Sequence, residues 1–277
     1  MSNSDTSHRG PILLVGGGKM GGAMLAGWLK RGVAPGDILV IEPDSKAGAA
    51  LREGFQVGVS AALPGQLERT PSLVVFAVKP QVLASVAPPY KRFVGPDTAF
   101  LSIAAGKTIA FFERHLGSAA AIIRAMPNTP AAVGRGITVL YANGATTQQQ
   151  KALCETLMSA VGEVRWATSE TQFDAVTALS GSGPAYVFLL IESLAEAGVA
   201  AGLPADLAMD LARATVAGSG ELAHQSSDPA ETLRRNVTSP GGTTAAALEV
   251  LMGQDGLKPL MIRAIAAAAR RSKELAD

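Results

Sequence analysis

The segment Ser239-Pro240-Gly241-Gly242-Thr243-Thr244 places three hydroxyl side chains and two glycines directly before a stretch typical of a helix. Glycines let the backbone turn tightly, and the first amides of a helix have no partner within it. Such a helix end carries partial positive charge and attracts carboxylate or phosphate groups. The segment predicts a pocket for a small anion, although, taken alone, a tight turn with a Ser or Thr N-cap is the simpler explanation.

A second glycine-rich segment, Gly16-Gly17-Gly18-Lys19-Met20-Gly21, lies between an apolar run and a helix-like stretch. It matches the G-x-G-x-x-G fingerprint of dinucleotide-binding proteins in the required context. Gly16 would allow the tight turn, Gly18 the approach of the pyrophosphate, and Gly21 the close packing of helix on strand. With the alternating strands and helices that follow, the segment predicts cofactor binding rather than a structural glycine turn.

Glu42 ends the second apolar run, where an acidic residue normally receives the 2′-hydroxyl of the adenosine ribose and favours NADH. Ser45 and Lys46 follow within reach, however, and could hold the 2′-phosphate of NADPH. Glu42 could also be merely solvated, with Ser45 capping the next helix. The sequence leaves the choice between NADH and NADPH open.

Small residues and prolines follow three further apolar runs, in Ala77-Val78-Lys79-Pro80, Ala104-Ala105-Gly106 and Met126-Pro127-Asn128. In doubly wound sheets the ligand crevice lies at the carboxyl ends of the strands. Lys79 could therefore face the cofactor, and the alanines leave room for a flat ring. Ser180-Gly181-Ser182-Gly183-Pro184, before a long apolar helix, suits either close backbone approach or helix capping.

These motifs contain hardly an ionisable group besides Lys79, and no Ser-His-Asp order or paired carboxylate occurs among them. The three histidines, His8, His115 and His224, do not pair at ligand spacing, so we expect no metal site. Such a site suits a reaction that brings its own electrophile and needs mainly positioning and anion capture. Hydride transfer to a protonated imine is of this kind.

The elements that must position these motifs change in type along the chain. Up to Trp166, apolar runs alternate with helix-like stretches, which predicts an α/β fold with a Rossmann-type doubly wound parallel sheet. The predicted strands are 12–15, 38–41, 73–78, 99–103, 121–126, 137–141 and 163–166. The predicted helices between them are 20–31, 45–53, 80–93, 108–116 and 146–161.

After Trp166 long helices dominate, at 183–201, 204–224, 243–252 and 256–276. Residues 185–191 are apolar on every side of the helix, so all of its faces must be buried. A helical domain of this size buries little of its surface by itself, which predicts a dimer. We therefore expect a Rossmann domain at residues 10–167 and an all-α dimerisation and substrate domain at residues 168–277.

Composition limits the class of protein. The net charge of +1 over 277 residues gives no reason to expect a nucleic-acid partner. Cys154 is the single cysteine, which excludes an intramolecular disulfide. The first eleven residues contain no apolar signal segment, so we expect a cytoplasmic protein. The apolar stretch 185–203 contains Glu192 and Glu196 and is not expected to span a membrane.

Five motifs carry a family resemblance. Gly-Gly-Gly-Lys-Met-Gly-Gly-Ala, Ala-Val-Lys-Pro-Gln, Met-Pro-Asn-Thr-Pro, Leu-Ser-Gly-Ser-Gly-Pro-Ala-Tyr and Ser-Pro-Gly-Gly-Thr-Thr occur in the order, and at about the spacing, of the pyrroline-5-carboxylate reductases. The chain resembles that family from Pro11 to about Leu275, and the last two motifs are specific to it. The resemblance implies reduction of 1-pyrroline-5-carboxylate to L-proline by NADPH or NADH, the last step of proline biosynthesis. It also implies an active site completed by two subunits of a homodimer or a larger homo-oligomer.

The resemblance assigns roles by motif. It implies cofactor contacts for Gly16, Gly18, Lys19, Met20, Gly21, Ala77, Val78, Lys79 and Pro80, for Ala104, Ala105 and Gly106 near the nicotinamide, and for Asn236. It implies that the substrate carboxylate is held by Ser239, Gly241, Gly242, Thr243 and Thr244, with Glu170 nearby. Thr244 would be the catalytic residue, because its hydroxyl would reach the ring nitrogen. Glu42 and Ser45 remain candidates at the adenosine ribose.

Two departures from the family pattern concern the coenzyme. Residues 59–64 lack the Asn that commonly contacts it, and Glu42 replaces a small polar residue that is frequent in NADPH-preferring members. Two alternatives also remain, a reductase of another cyclic imine or of a hydroxy acid, and a non-catalytic dinucleotide sensor. The hydroxy-acid version would need a Lys or His proton carrier, and residues 168–201 contain neither.

Overall fold

The apolar runs of the first half of the chain form one sheet in the computed structural model, which describes residues 10–275. Its strands there are β1 (Ile12–Val15), β2 (Ile38–Ile41), β3 (Gly58–Ser60), β4 (Leu73–Phe76), β5 (Ala99–Ser102), β6 (Ala121–Met126), β7 (Gly136–Ala142) and β8 (Gly162–Trp166). They are arranged in the order β3-β2-β1-β4-β5-β6-β7-β8. The first six have the order of the dinucleotide-binding fold, which confirms the expected fold class.

One strand pair near the edge of the sheet departs from the expected parallel arrangement. β7 pairs with β6 in antiparallel register, with Arg124 opposite Tyr141, and β8 then runs parallel to β7. A parallel neighbour needs a crossover of about a dozen residues or more. Residues 127–135 contain only the 3₁₀ turn Thr129–Val133, so the chain reverses direction instead. The short edge strand β3 was not predicted, because three residues are too few to show a periodicity.

Helices cover both faces of the sheet. They are α1 (Lys19–Lys30), α2 (Ser45–Phe55), α3 (Leu83–Val86), α4 (Ile109–Leu116), α5 (Gln148–Ser159) and α6 (Phe173–Val176). The single helix predicted over 80–93 is wrong: a 3₁₀ turn (Pro80–Val82), α3 and a second 3₁₀ turn (Pro88–Phe93) replace it. Pro88 and Pro89 lack the N–H that an α-helix needs at these positions, so α3 ends before them.

The core consists of two apolar clusters, one on each face of the sheet. Successive side chains of β1 alternate between them, with Ile12 and Leu14 beside Trp28 on one face and Leu13 and Val15 beside Phe76 on the other. Strands buried on both faces read as continuous apolar runs, and this is why their bounds were predictable.

The chain divides into two compact units, between Gly181 and Ser182. The second unit, Ser182–Ala268, contains α7 (Gly183–Ala200), α8 (Ala205–Gln225), α9 (Ala230–Asn236), α10 (Thr243–Leu251) and most of α11 (Leu257–Glu274). The C-terminal end of α11, from Ala269 on, belongs to the first unit. The short helix α9 was not predicted. His8 and residues 276–277, which the predictions included, lie outside the described residues.

The apolar side chains of α7 are not covered within the single chain. Val187, Phe188, Leu189, Leu190 and Leu194 are between 41% and 59% exposed. By length and composition alone, the stretch Glu170–Ala200 could cross a membrane. A helix that is apolar on all sides must be buried by some neighbour, and one chain does not supply enough cover here.

Candidate active site

The turn between β1 and α1 has the geometry that a bound diphosphate needs. Gly16 has φ of +97°, and a Cβ there would lie 2.8 Å from the carbonyl oxygen of Ala77. A Cβ at Gly21 would overlap the carbonyl oxygen of Gly16. Gly18 is the N-cap of α1 without a capping side chain, and nothing lies within 4 Å of the place its Cβ would take. The helix end is therefore open, and these residues fit a dinucleotide.

Glu42 contacts the same turn. Its Oε2 accepts a hydrogen bond from the backbone N of Gly17 at 2.8 Å, and its Oε1 accepts one from the N of Asp44 at 3.0 Å. The alternative of a merely solvated Glu42 is therefore wrong. The predicted cap Ser45 is also wrong, because Asp44 caps α2 by accepting from the N of Ala47 at 2.7 Å. Ser45 is the exposed first residue of α2.

The segments that follow β4 and β5 lie at the same edge of the sheet as the glycine turn. Ala77 N donates to Val15 O at 2.8 Å, and Ile103 N donates to Phe76 O at 3.1 Å. Lys79 is exposed and Pro80 begins a 3₁₀ turn. In the next segment Ala104 is buried, Ala105 is exposed and Gly106 has φ of +76°. The strand order thus brings together the residues expected at the cofactor in the first unit.

Glu170 pairs with Arg124, a buried arginine for which the sequence predicted no role. Its Oε1 accepts from Arg124 Nη1 and from the backbone N of Ile109, each at 2.7 Å. The guanidinium of Arg124 also lies 4.3 Å from the ring centre of Phe173. Ile109 is the first residue of α4, so the carboxylate fixes the end of the segment that begins at Ala104. The substrate contact expected for Glu170 remains a prediction.

Asn128, in the Met-Pro-Asn-Thr-Pro motif, connects two backbone segments. Its Oδ1 accepts from Ile137 N at 2.9 Å, and its Nδ2 donates to Ser180 O at 3.1 Å. Ser180 belongs to a π-helical turn, Thr177–Gly181, a feature often found at functional sites. Ser182 is the N-cap residue of α7, but its side chain makes no hydrogen bond to the helix end. The explanation of Ser180-Gly181-Ser182-Gly183-Pro184 as a helix cap is therefore wrong.

In the second unit, the 239–244 loop turns tightly into α10. Gly242 N donates to Ser239 O at 3.1 Å and Gly241 has φ of +68°, a turn in which glycine is favoured. The N-cap of α10 is Gly242, and no side chain caps the helix. The explanation as a Ser- or Thr-capped turn is therefore wrong. The amides and hydroxyls at this end remain available to an anion. Asn236 is the exposed last residue of α9, shortly before this loop.

Among residues 10–275, two groups have clearly displaced pKa values, and both lie in the core of the first unit. Burial raises the pKa of Tyr90 to about 12, an effect that nearby Arg92 partly offsets. Burial also raises the pKa of the Cys154 thiol far above its usual range. Neither group belongs to the segments described above, which offer backbone amides and hydroxyls for positioning and anion binding.

Two family models match the chain. Residues 170–275 match the family described as pyrroline-5-carboxylate reductase dimerisation, and residues 11–106 match the family described as NADP oxidoreductase, coenzyme F420-dependent. The first match includes the whole of α7. The apolar side chains of α7 that one chain leaves exposed therefore lie in the region that matches this dimerisation family.

Relatives match along nearly the whole chain. The pyrroline-5-carboxylate reductase of Pisum sativum is 39% identical over 261 residues, 94% of each chain. The structure of a pyrroline-5-carboxylate reductase from Coxiella burnetii is similar with a TM-score of 0.90 and 38% identity, over 97% of this chain and 99% of that one. The NADP-bound pyrroline carboxylate reductase of Plasmodium falciparum is similar with a TM-score of 0.81 and 30% identity, over 98% and 99%.

Proposed function

The chain belongs to the pyrroline-5-carboxylate reductase family, and we propose how its residues divide the work of that reaction. The protein is an oxidoreductase that reduces 1-pyrroline-5-carboxylate to L-proline with NAD(P)H. It works as a homo-oligomer. The roles of individual residues and the domain limits, residues 10–167 and 168–277, are proposals.

The coenzyme binds along the edge of the sheet in the first unit. Its diphosphate lies on the open end of α1 at Gly18, contacting the backbone of Lys19, Met20 and Gly21. Ala77, Val78, Lys79 and Pro80 line the next strand end, and Ala104, Ala105 and Gly106 leave room for the nicotinamide ring. The role of Asn236 at the cofactor is carried over from the family. A bound coenzyme supplies a hydride to the imine carbon.

The substrate carboxylate binds the 239–244 loop. The observation that carries this proposal is the glycine N-cap of α10. No side chain caps the helix, so its first amides and the Thr243 and Thr244 hydroxyls can serve as donors to an anion. Ser239, Gly241 and Gly242 shape the turn. The Thr244 hydroxyl hydrogen-bonds the ring nitrogen and orients the imine. The substrate is already protonated at that nitrogen, so the protein needs no general acid.

The loop belongs to the region that matches the dimerisation family. We propose that a homodimer is the smallest active unit and that the loop of one subunit serves the coenzyme of its partner. No nucleic acid and no membrane takes part, and the protein is cytoplasmic. The exposed face of α7 supports the dimer, because it needs an apolar cover.

The test is coenzyme oxidation by the purified protein. Absorbance at the nicotinamide band should fall only when 1-pyrroline-5-carboxylate is added. A lack of turnover with both coenzymes would reject the proposed function and leave a sensor, or a reductase of another imine, in its place.

Thr244→Ala should lower kcat/KM roughly tenfold to a hundredfold, because a hydrogen bond to a charged group is lost. Coenzyme binding, measured by calorimetry, should stay unchanged. The matched control is Thr156→Ala on the exposed side of α5, which should keep full activity. If Thr244→Ala instead weakens coenzyme binding, Thr244 has been assigned to the wrong ligand.

A further inference from the structure

The position of Glu42 bears on which coenzyme the protein prefers. We propose that Glu42 selects NADH, because its carboxylate receives the adenosine ribose hydroxyls and excludes a 2′-phosphate. This inference rests on the proposed function, since it concerns the same coenzyme site, and it goes further by choosing between the two coenzymes.

Three hydrogen bonds hold Glu42 in place. Its backbone N donates to Ser60 O at 2.9 Å, Gly17 N donates to its Oε2, and Asp44 N donates to its Oε1. A Cβ at Gly17 would overlap the side chain of Leu51, so α2 packs closely against the glycine turn. The carboxylate is therefore fixed beside the turn proposed to hold the diphosphate. In a dinucleotide the adenosine ribose is attached directly to the diphosphate, so this is where that ribose would lie.

Glu42 still has capacity to bind a ligand. A carboxylate offers about four acceptor positions on its two oxygens. The two backbone amides use one position on each oxygen, which leaves one on each for ribose hydroxyls. The adjacent 2′- and 3′-hydroxyls of a ribose can donate to these two acceptor positions. A ribose without a 2′-phosphate therefore fits the carboxylate.

The charge around this position disfavours a phosphate. The turn Glu42-Pro43-Asp44-Ser45-Lys46 contains two carboxylates and one ammonium group. A phosphate monoester would add about −1.5 to −2 charges directly beside Glu42. NADPH-dependent proteins commonly use an arginine here. Arg52, on α2, donates instead to Val59 O at 3.2 Å. Ser45 and Lys46 are exposed and would have to outweigh both carboxylates.

The experiment compares the two coenzymes on the full-length oligomer, by calorimetric Kd and by kcat/KM. The wild type should prefer NADH by roughly tenfold or more in both measurements, because a charge-assisted hydrogen bond is exchanged for repulsion. Glu42→Ser should bring the ratio of the two coenzymes close to one or reverse it. Glu42→Gln retains the shape and an acceptor for Gly17, so it should fold if the serine variant does not, and it should also lower the preference.

The matched control is Glu53→Gln, an exposed carboxylate on α2, which should leave the preference unchanged. Inhibition by 2′,5′-ADP should be weaker than by ADP in the wild type and comparable in Glu42→Ser. A wild type that prefers NADPH, binds neither coenzyme, or keeps its preference in both Glu42 variants overturns the inference. An NADH preference without turnover of 1-pyrroline-5-carboxylate would instead overturn the proposed function.

Discussion

Replacing Glu170 by alanine should destabilise the protein, because it leaves a buried charge without its partner. The side chain of Arg124 is only 9% exposed and that of Glu170 27%. Removing one member of a buried pair costs about 3–5 kcal/mol, and the partial exposure of Glu170 puts the expected loss nearer 2–3 kcal/mol. For a chain of this size that corresponds to a Tm lower by about 5–10 °C. Ile109 N would also lose its acceptor at the start of α4.

The assay is thermal unfolding at one fixed protein concentration, because oligomer stability depends on concentration. Glu170→Gln retains an acceptor oxygen and should lose about half as much. Adding Arg124→Met to Glu170→Ala should recover stability, since it removes the unpaired charge. The control is Glu163→Ala, which breaks an exposed pair with Arg165 and should change the Tm by little. An unchanged Tm with a tenfold higher KM for the substrate would refute this reasoning and establish Glu170 as a substrate ligand.

Two further predictions concern the glycine turn and the core. Gly18→Ala should keep the Tm and weaken coenzyme binding roughly tenfold or more, because its Cβ meets open space that the diphosphate needs. Gly21→Ala should lower both Tm and binding in the same calorimetric measurements, since its Cβ overlaps Gly16 O; equal effects of the two changes would contradict the geometry. The pKa of Tyr90 is raised to about 12 in the folded state and is near 10 in the unfolded state. As the pH rises above 10, the unfolded state loses this proton first, so the free energy of unfolding falls between these two pH values. Tyr90→Phe should show a smaller fall in urea midpoint from pH 9 to pH 11 than the wild type, and an equal fall would show that this phenol is not responsible.

The sequence was sufficient to predict the strands that are buried on both faces. β1, β2 and β6 have the predicted bounds, because each apolar run, interrupted in β6 by Arg124, ends where a glycine, an acidic residue or a proline begins. The spacing of Gly16, Gly18 and Gly21 likewise predicted the turn, since a Cβ at Gly16 or at Gly21 would be too close to a backbone carbonyl oxygen. Local patterns are reliable when the constraint is local.

The direction of β7 and the partner of Glu170 depend on contacts that no local pattern contains. β7 has the same periodicity whichever way it runs, and its direction follows from the short connection that precedes it. Arg124 and Glu170 lie far apart in sequence. One signal was present, however: an arginine inside an otherwise apolar strand is rarely buried without a partner. The sequence predicted Ser45 as a cap of α2, and Asp44, one residue earlier, caps the helix because it belongs to a residue type that caps equally well.

The helix starts differ in whether a side chain caps them. α2, α4 and α5 are capped by the side chains of Asp44, Thr108 and Thr147. A capping side chain satisfies a free amide and occupies the place where an anion would bind. α7 and α8 also begin without such a cap, so its lack alone does not identify a site. α1 and α10 both have a glycine at the N-cap, which forgoes that hydrogen bond and keeps the helix end accessible. α11 also follows a glycine, Gly256, so this feature alone does not identify a site either. In the proposed roles, the coenzyme diphosphate at α1 and the substrate carboxylate at α10 are both anions, and a glycine N-cap would let each supply the acceptor that a side chain otherwise provides.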